Sequence, residues 1–506
     1  MTKRFFLTGI TLLSLVLLGL SLFASWQKPQ FQSILELYQT NIVLQAQSWE
    51  GHNSNNQQLS EILQAIVGDG AIQNANKQYE ETRNSVQRSI DKAEIEKTKI
   101  LSDKTSVAKS VQETSKTRLQ ELFRLRDELD LQLGILQAKQ GNIETAIRTW
   151  NQIQPSERTE LTKTAQVLIG IWNTPPRLLP NAQPLIQKNL AGWFRYTALT
   201  QLYEVQQRLD ALTDLQATQE EIAKEAIFKL AIITIVPGST SFIGIILLMA
   251  LIIQRLIKGR ESILAQHAQT VWLTPWNLEI VLQVFIVGFF LMGQVFVPTI
   301  LQLLPISTYS ENLQIQAFSV LISYILVSFG ALLVLYISIK RYLPLPEGWF
   351  KFRLFDNWLL WGIGGYCAAV PIVIIVSLIN QILWKGEGGS NPLLQMALEN
   401  RDGVALGIFF LTAAIAAPLF EEFLFRGFLL PSLTPHLPVS WAIVVSSFIF
   451  AIAHLSLSEM LPLTALGIVL GVVYTRSRNL LAPMLLHGLW NSGTLVSLFI
   501  LGSSNN

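Results

Sequence analysis

Cysteine is all but missing from this chain: the single one, Cys367, excludes any intrachain disulfide and any cysteine-built metal cluster. Charge is scarce as well. Only 14% of the 506 residues are Asp, Glu, Lys or Arg, against roughly 25% in an ordinary soluble domain, and 50% are hydrophobic. That balance excludes a wholly soluble protein and points to one that lives in a membrane. A formal net charge of +2 argues for neither nucleic acid nor a strongly acidic partner. Histidine is sparse too, with five in all: His52, His267, His436, His454 and His487.

The charge that is present is unevenly placed. Residues 26–225 are polar and rich in Gln, Glu, Lys and Thr, whereas from Leu230 onward apolar runs alternate with short polar loops. We therefore divide the chain into an N-terminal transmembrane anchor (1–25), a helical extramembrane domain (26–225), leading transmembrane helices (226–400) and a final membrane segment (401–501). In the first segment, Lys3 and Arg4 precede an apolar run from Phe5 to Ala24. At about 20 residues it is long enough to span, and without a clear small-residue cleavage site it reads as an uncleaved anchor.

Residues 26–225 read as almost entirely helical. Glu80 to Leu131 has no glycine and no proline, which predicts long exposed helices or a helical hairpin. Leu133-Gly134, Gly141-Asn142, Ala146 and Trp150 have the spacing of one tetratricopeptide-like pair, in which small residues let two helices approach and an aromatic fills the gap. Trp193, Tyr196 and Leu199, followed by Arg208 to Leu215, predict a second, more degenerate pair. A solenoid needs at least three repeats, so an ordinary hairpin serving as a spacer or as a docking domain for a protein partner fits as well.

Beyond the anchor, eight further spans are predicted: Leu230 to Ile253, Ile280 to Leu304, Ile315 to Ile339, Trp358 to Leu383, Val404 to Leu430, Val439 to Ala453, Leu461 to Tyr474 and Leu480 to Leu501. The second-to-last is short for a bilayer that asks for ~17 residues. Basic residues fall at Lys3 and Arg4, at Arg255, Lys258 and Arg260, at Lys340, Arg341, Lys351 and Arg353, and at Arg476 and Arg478. Alternating spans place all of them on one side, which the positive-inside rule makes cytoplasmic. The loop 26–225 then lies on the opposite side.

From Val404 to Leu501 the charges are few: Glu421, Glu422, Arg426, Glu459, Arg476 and Arg478, with Arg401 and Asp402 just outside. The arginines at 476 and 478 suit the interface and Glu459 a loop, which leaves Glu421, Glu422 and Arg426 unexplained inside an apolar run. A single charge at the bilayer centre costs at least ~2.5 kcal/mol on insertion scales, so such a cluster needs partners and a purpose. On a helix Glu422 and Arg426 share a face and can pair, while Glu421 is turned away by about 100°. A dry carboxylate accepts a proton more readily than a hydrated one, so one glutamate reads as a counter-ion and the other as a general base. Two of the five histidines also lie in apolar surroundings. His454 ends Phe450-Ala-Ile-Ala-His454, and His487 is followed one turn later by Asn491. Imidazole and carboxamide at that spacing can hold a water, a metal or a developing oxyanion.

Taken together, Glu421-Glu422-Phe-Leu-Phe-Arg426, Phe450-x-x-x-His454 and His487-x-x-x-Asn491 resemble, in order, the three motifs of the CPBP intramembrane protease family. That family includes the type II CAAX prenyl endopeptidases and bacteriocin-immunity (Abi) proteins. The resemblance covers roughly Ala405 to Leu498 and leaves residues 26–225 untouched. It implies an all-α polytopic fold with a water-accessible cavity. Glu421 would activate water, supported by Glu422 and Arg426; His454 would orient that water; His487 and Asn491 would stabilise the oxyanion. It also implies a peptide or protein substrate at the membrane, prenylated in some members. Metal dependence stays open: Glu421, His454 and His487 could supply three zinc ligands, but no His-Glu-x-x-His is present and the same residues also work without metal.

One tension accompanies this reading. If Glu421 and His487 lie near the cytoplasmic ends of their spans, simple alternation puts His454 near the far end, yet the three must meet. Either the helix carrying Glu421 runs past Phe428, or the helix ending at His454 is tilted or starts deep. Two other functional readings are open: a noncatalytic scaffold or immunity-type protein with a structural ion cluster, and a transporter with a glutamate proton relay. The host membrane, whether plasma, thylakoid or another organellar one, is not readable.

Overall fold

The computed structural model describes residues 2–26, 31–49, 67, 70–102, 108–153, 159–303, 312–384, 396, 398 and 402–503. His52, Leu304 and Arg401, singled out above, lie outside the described residues. Every regular element among the described residues is a helix. The chain divides into two units, residues 1–28 with 236–499, and residues 29–235 with 500–506.

In the second unit, Ala71–Ser102 and Ala108–Lys139 are 32-residue helices packed side by side. Of the two possibilities for Glu80 to Leu131, the structure adopts the hairpin. Ala75, Tyr79, Thr82, Val86, Ile90 and Ala93 recur every three or four residues and are all buried, which is the stripe an amphipathic helix turns to a core. Arg83 and Asp130 clamp the pair at 2.8 Å. At Gly134 a β-carbon would lie 2.2 Å from Trp150 Nε1, so only glycine lets the helix Ile143–Asn151 approach. The indole fills that gap and donates to the Leu131 carbonyl at 3.1 Å. This is the geometry expected of one helix-turn-helix pair, and nothing in it requires a repeat array. In the later helix Gly192–Gln206, Trp193 and Leu199 are buried.

Among the described residues, eight helices are long and apolar enough to cross a membrane: Phe5–Trp26, Leu209–Glu261, Leu278–Leu303, Leu313–Tyr342, Trp358–Trp384, Gly403–Leu433, Met460–Ser477 and Leu481–Gly502. The chain is thus a multi-pass integral membrane protein. Met460–Ser477 has 18 residues, longer than its apolar run suggested. Thr475 is fully buried and Arg476 and Ser477 prolong the helix with polar residues until Arg478, in a left-handed conformation, stops it. The remaining predicted span, Val439–Ala453, is a 15-residue helix, about 22 Å long at 1.5 Å per residue and therefore short of a ~30 Å hydrocarbon core. It ends at His454, and Leu455 reverses the chain with a φ of 55°.

Gly403–Leu433 resolves the tension between the motifs. Asp402 starts it by accepting from the Val404 and Ala405 amides, and it runs for 31 residues, past Phe428, so Glu421 lies in its interior. Widened π-helical stretches, Leu411–Ala416 and Phe423–Leu429, bracket the glutamates, and such stretches are frequent at functional sites. Its inner face joins Phe420, Leu424, Phe425 and Phe428 to a buried cluster with Trp276, Phe450 and Tyr474.

Candidate active site

Glu422 and Arg426 are fully buried and meet at 2.8 Å between Glu422 Oε1 and Arg426 Nη1, the pairing that helix spacing predicted. Two charges in such surroundings need further partners, and the structure supplies them. Arg426 Nη2 donates to the Gly467 carbonyl at 3.2 Å, and the guanidinium lies 4.4 Å from the centroid of the Phe450 ring. A β-carbon at Gly467 would lie 2.8 Å from that of Ser447; its absence brings the helix Met460–Ser477 close enough for the carbonyl to reach Arg426. His487, 3% exposed, donates from Nδ1 to the same Glu422 oxygen at 2.8 Å.

Glu421 makes different contacts. Tyr324, from the helix Leu313–Ile339, donates its hydroxyl to Glu421 Oε1 at 3.1 Å. Glu421 Oε2 is buried without a protein hydrogen-bond partner and lies 4.0 Å from His487 Nε2, too far for a direct hydrogen bond. Glu421 and Tyr324 line a cavity of about 730 Å³ together with His454, walled by Phe289, Phe420 and Phe425 among others. His454 Nδ1 donates to the Phe450 carbonyl at 2.8 Å. In the neutral ring this makes Nε2 an acceptor.

The predicted site residues therefore fall into two linked groups. Glu421 and His454 share the cavity; Glu422, Arg426 and His487 form a hydrogen-bonded cluster adjoining it. Asn491 is tied down separately, its Nδ2 donating to the Ala413 carbonyl at 2.7 Å. Neither His487 nor Asn491 is among the residues lining the cavity. Phe450, fully buried, touches both groups, with its ring 4.8 Å from that of His454 and 5.7 Å from that of His487. No group of three His, Cys, Asp or Glu side chains gathers closely enough to hold a metal ion among the described residues. Sequence reasoning missed Tyr324, an intramembrane tyrosine 97 residues from its partner, for which no local pattern gives a signal.

Comparison with known proteins supports the motif assignment. Residues 403–493 match the family model described as Type II CAAX prenyl endopeptidase Rce1-like. A Bacillus subtilis (strain 168) protein named "Putative membrane peptidase YdiL" is 28% identical over 138 residues, which cover 27% of this chain and 55% of that protein. The chain thus spans about half the length of this curated relative. No solved structure matches. With the three motifs in order, and with the helices that carry them drawn around the adjacent carboxylates of Glu421 and Glu422, these matches support assigning the segment 403–493 to the CPBP family.

Proposed function

We propose that this protein is an intramembrane endopeptidase that cleaves a peptide bond of a membrane-associated substrate with water activated by Glu421. The observation that carries this reading is the pairing of Glu421 with His454 on one cavity, together with the buried, unpartnered Glu421 Oε2. A buried carboxylate oxygen calls for a polar partner, and a water held between Oε2 and His454 Nε2 would donate to both. Glu421 takes one proton as the water oxygen attacks the carbonyl carbon, and returns it to the leaving amine as the bond breaks. Tyr324 holds the carboxylate in place from its other oxygen.

Glu422, Arg426 and His487 act as positioning residues in this scheme. Their hydrogen bonds keep two charges buried beside Glu421 and fix the backbone that presents it. The oxyanion role suggested for His487 and Asn491 requires a doubly protonated His487 to present its Nε2–H, or the second hydrogen of the Asn491 amide, to the bound carbonyl. No step is routed through a metal. The apolar wall of phenylalanines suits a substrate segment already in the membrane, and whether that segment is lipidated is a question for the substrate itself.

The decisive experiment compares protein termini in membranes carrying the wild type or Glu421→Gln. New termini that appear only with the wild type, at equal amounts of folded protein, support the peptidase. Identical termini, with the host function retained by the variant, support the noncatalytic scaffold, for which the mutual pairing of Glu422, Arg426 and His487 is the specific argument.

A further inference from the structure

A second pocket, of about 330 Å³, lies apart from the carboxylates and is lined by Arg353, Arg476, Arg478, His267 and Asp356, with Trp358 and Trp361 among its other walls. Three arginines face one aspartate there, so two positive charges are in excess. Arg353 is only loosely matched to Asp356, at 3.7 Å, and remains half exposed. Arg476 is held by Nε donating to the Leu264 carbonyl at 2.7 Å. The Arg478 guanidinium lies 3.4 Å from the centroid of the Trp272 ring and donates to the Thr270 carbonyl. These guanidiniums are fixed by backbone carbonyls and an aromatic ring rather than neutralised by carboxylates. Burial first, and then the charges of Arg478, Arg476 and Arg353, hold the His267 imidazole below its ordinary protonation range.

The position of the pocket is as informative as its charge. Trp358 begins the span Trp358–Trp384, and Ser477 ends the span Met460–Ser477, so the pocket opens where two membrane helices stop. The loop that carries Arg353 and Asp356 also carries Leu354 and Phe355, 69% and 105% exposed. Apolar side chains so exposed are costly in water and at home among acyl chains. Tryptophans at helix ends anchor at the headgroup level, and basic pockets between membrane helices on the cytoplasmic side suit anionic headgroups.

We infer that this pocket binds a phosphate group, and that the phosphate belongs to the headgroup of an anionic membrane lipid. Planar, fixed guanidiniums match phosphate oxygens in pairs, and Phe355 and Leu354 enter the acyl layer beside the bound headgroup. The inference does not rest on the peptidase reading.

The test is native mass spectrometry of the full-length protein in detergent, titrated with dioleoyl phosphatidic acid or dioleoyl phosphatidylcholine. One saturable phosphatidic acid adduct is expected, with phosphatidylcholine at background. Arg353→Gln with Arg476→Gln should weaken it by roughly tenfold or more, since each removes charge-assisted hydrogen bonds. Asp356→Asn, which removes the repelling charge from a partly exposed position, should strengthen it, an outcome that misfolding does not produce. Lys340→Gln, outside the pocket, should leave it unchanged. Equal adducts for the two lipids, or no response to either the arginine or the aspartate variants, would overturn the site. Full displacement of the lipid by an equal concentration of inorganic phosphate would support the anion site but overturn the lipid as its source.

Discussion

His487 Nδ1 lies 2.8 Å from Glu422 Oε1, the oxygen that also accepts from Arg426. The third motif is thereby joined to the first through the glutamate that helix geometry had marked as the counter-ion. One carboxylate oxygen serves a guanidinium and an imidazole, and the neighbouring carboxylate, on Glu421, faces the cavity.

Removing the shared acceptor should cost stability before it costs chemistry. Glu422→Gln leaves Arg426 buried without its counter-charge, a loss on the order of 3 to 5 kcal/mol, visible as lower folded yield and a lower Tm. Adding Arg426→Met should restore part of the yield. A Glu422→Gln protein as stable as the wild type would refute the structural assignment.

Glu421→Gln is nearly isosteric and removes the proposed base. Turnover should fall by roughly 10²- to 10⁴-fold with little change in folded yield. Cleavage at the wild-type rate in the folded variant would end the peptidase mechanism proposed above.

Tyr324→Phe deletes only the hydroxyl that donates to Glu421 Oε1. A hydrogen bond to a charged group is worth about 1.5 to 3 kcal/mol, so the rate should drop by roughly ten- to a hundredfold while the Tm moves little. Because Tyr324 acts through the carboxylate, the pH dependence of kcat should also shift. An unchanged pH profile would make the tyrosine a packing residue.

Metal dependence is checked directly by metal analysis of the purified protein and by turnover after chelation. We expect turnover to survive, since no three His, Cys, Asp or Glu side chains gather closely enough to hold a metal ion among the described residues. Stoichiometric zinc that is lost in Glu421→Gln would overturn this.

Sidedness rests on the basic loops. A cysteine introduced at Asn142, in a Cys367→Ser background, should react with an impermeant reagent supplied from the non-cytoplasmic side. Reaction only from the cytoplasmic side would reverse the topology.

What the sequence made legible was whatever obeys helix periodicity. Glu422 with Arg426 and Phe450 with His454 are four-residue relationships, and both appear in the structure as direct contacts. Apolar runs marked the spans for the same reason. The ends of those runs were less readable: Met460–Ser477 continues through Thr475 and Ser477 because their environment and backbone bonding, rather than their hydropathy, decide where the helix stops. The hydroxyl of Tyr324 on Glu421, the Gly467 carbonyl on Arg426 and the Glu422 oxygen on His487 join segments 97, 41 and 65 residues apart. Such contacts exist only once the helices have packed, so no local pattern carries them.

Gly467 shows how far the reacting residues reach into the scaffold. Its missing side chain lets Ser447 close in, and its carbonyl receives Arg426. A larger residue there would push one helix outward and withdraw an acceptor from the guanidinium in the same movement. A random mutagenesis screen for lost cleavage would therefore score position 467 beside the glutamates, although its residue has no side chain with which to do chemistry, and a map of functional importance drawn from such a screen would overstate the size of the reactive centre.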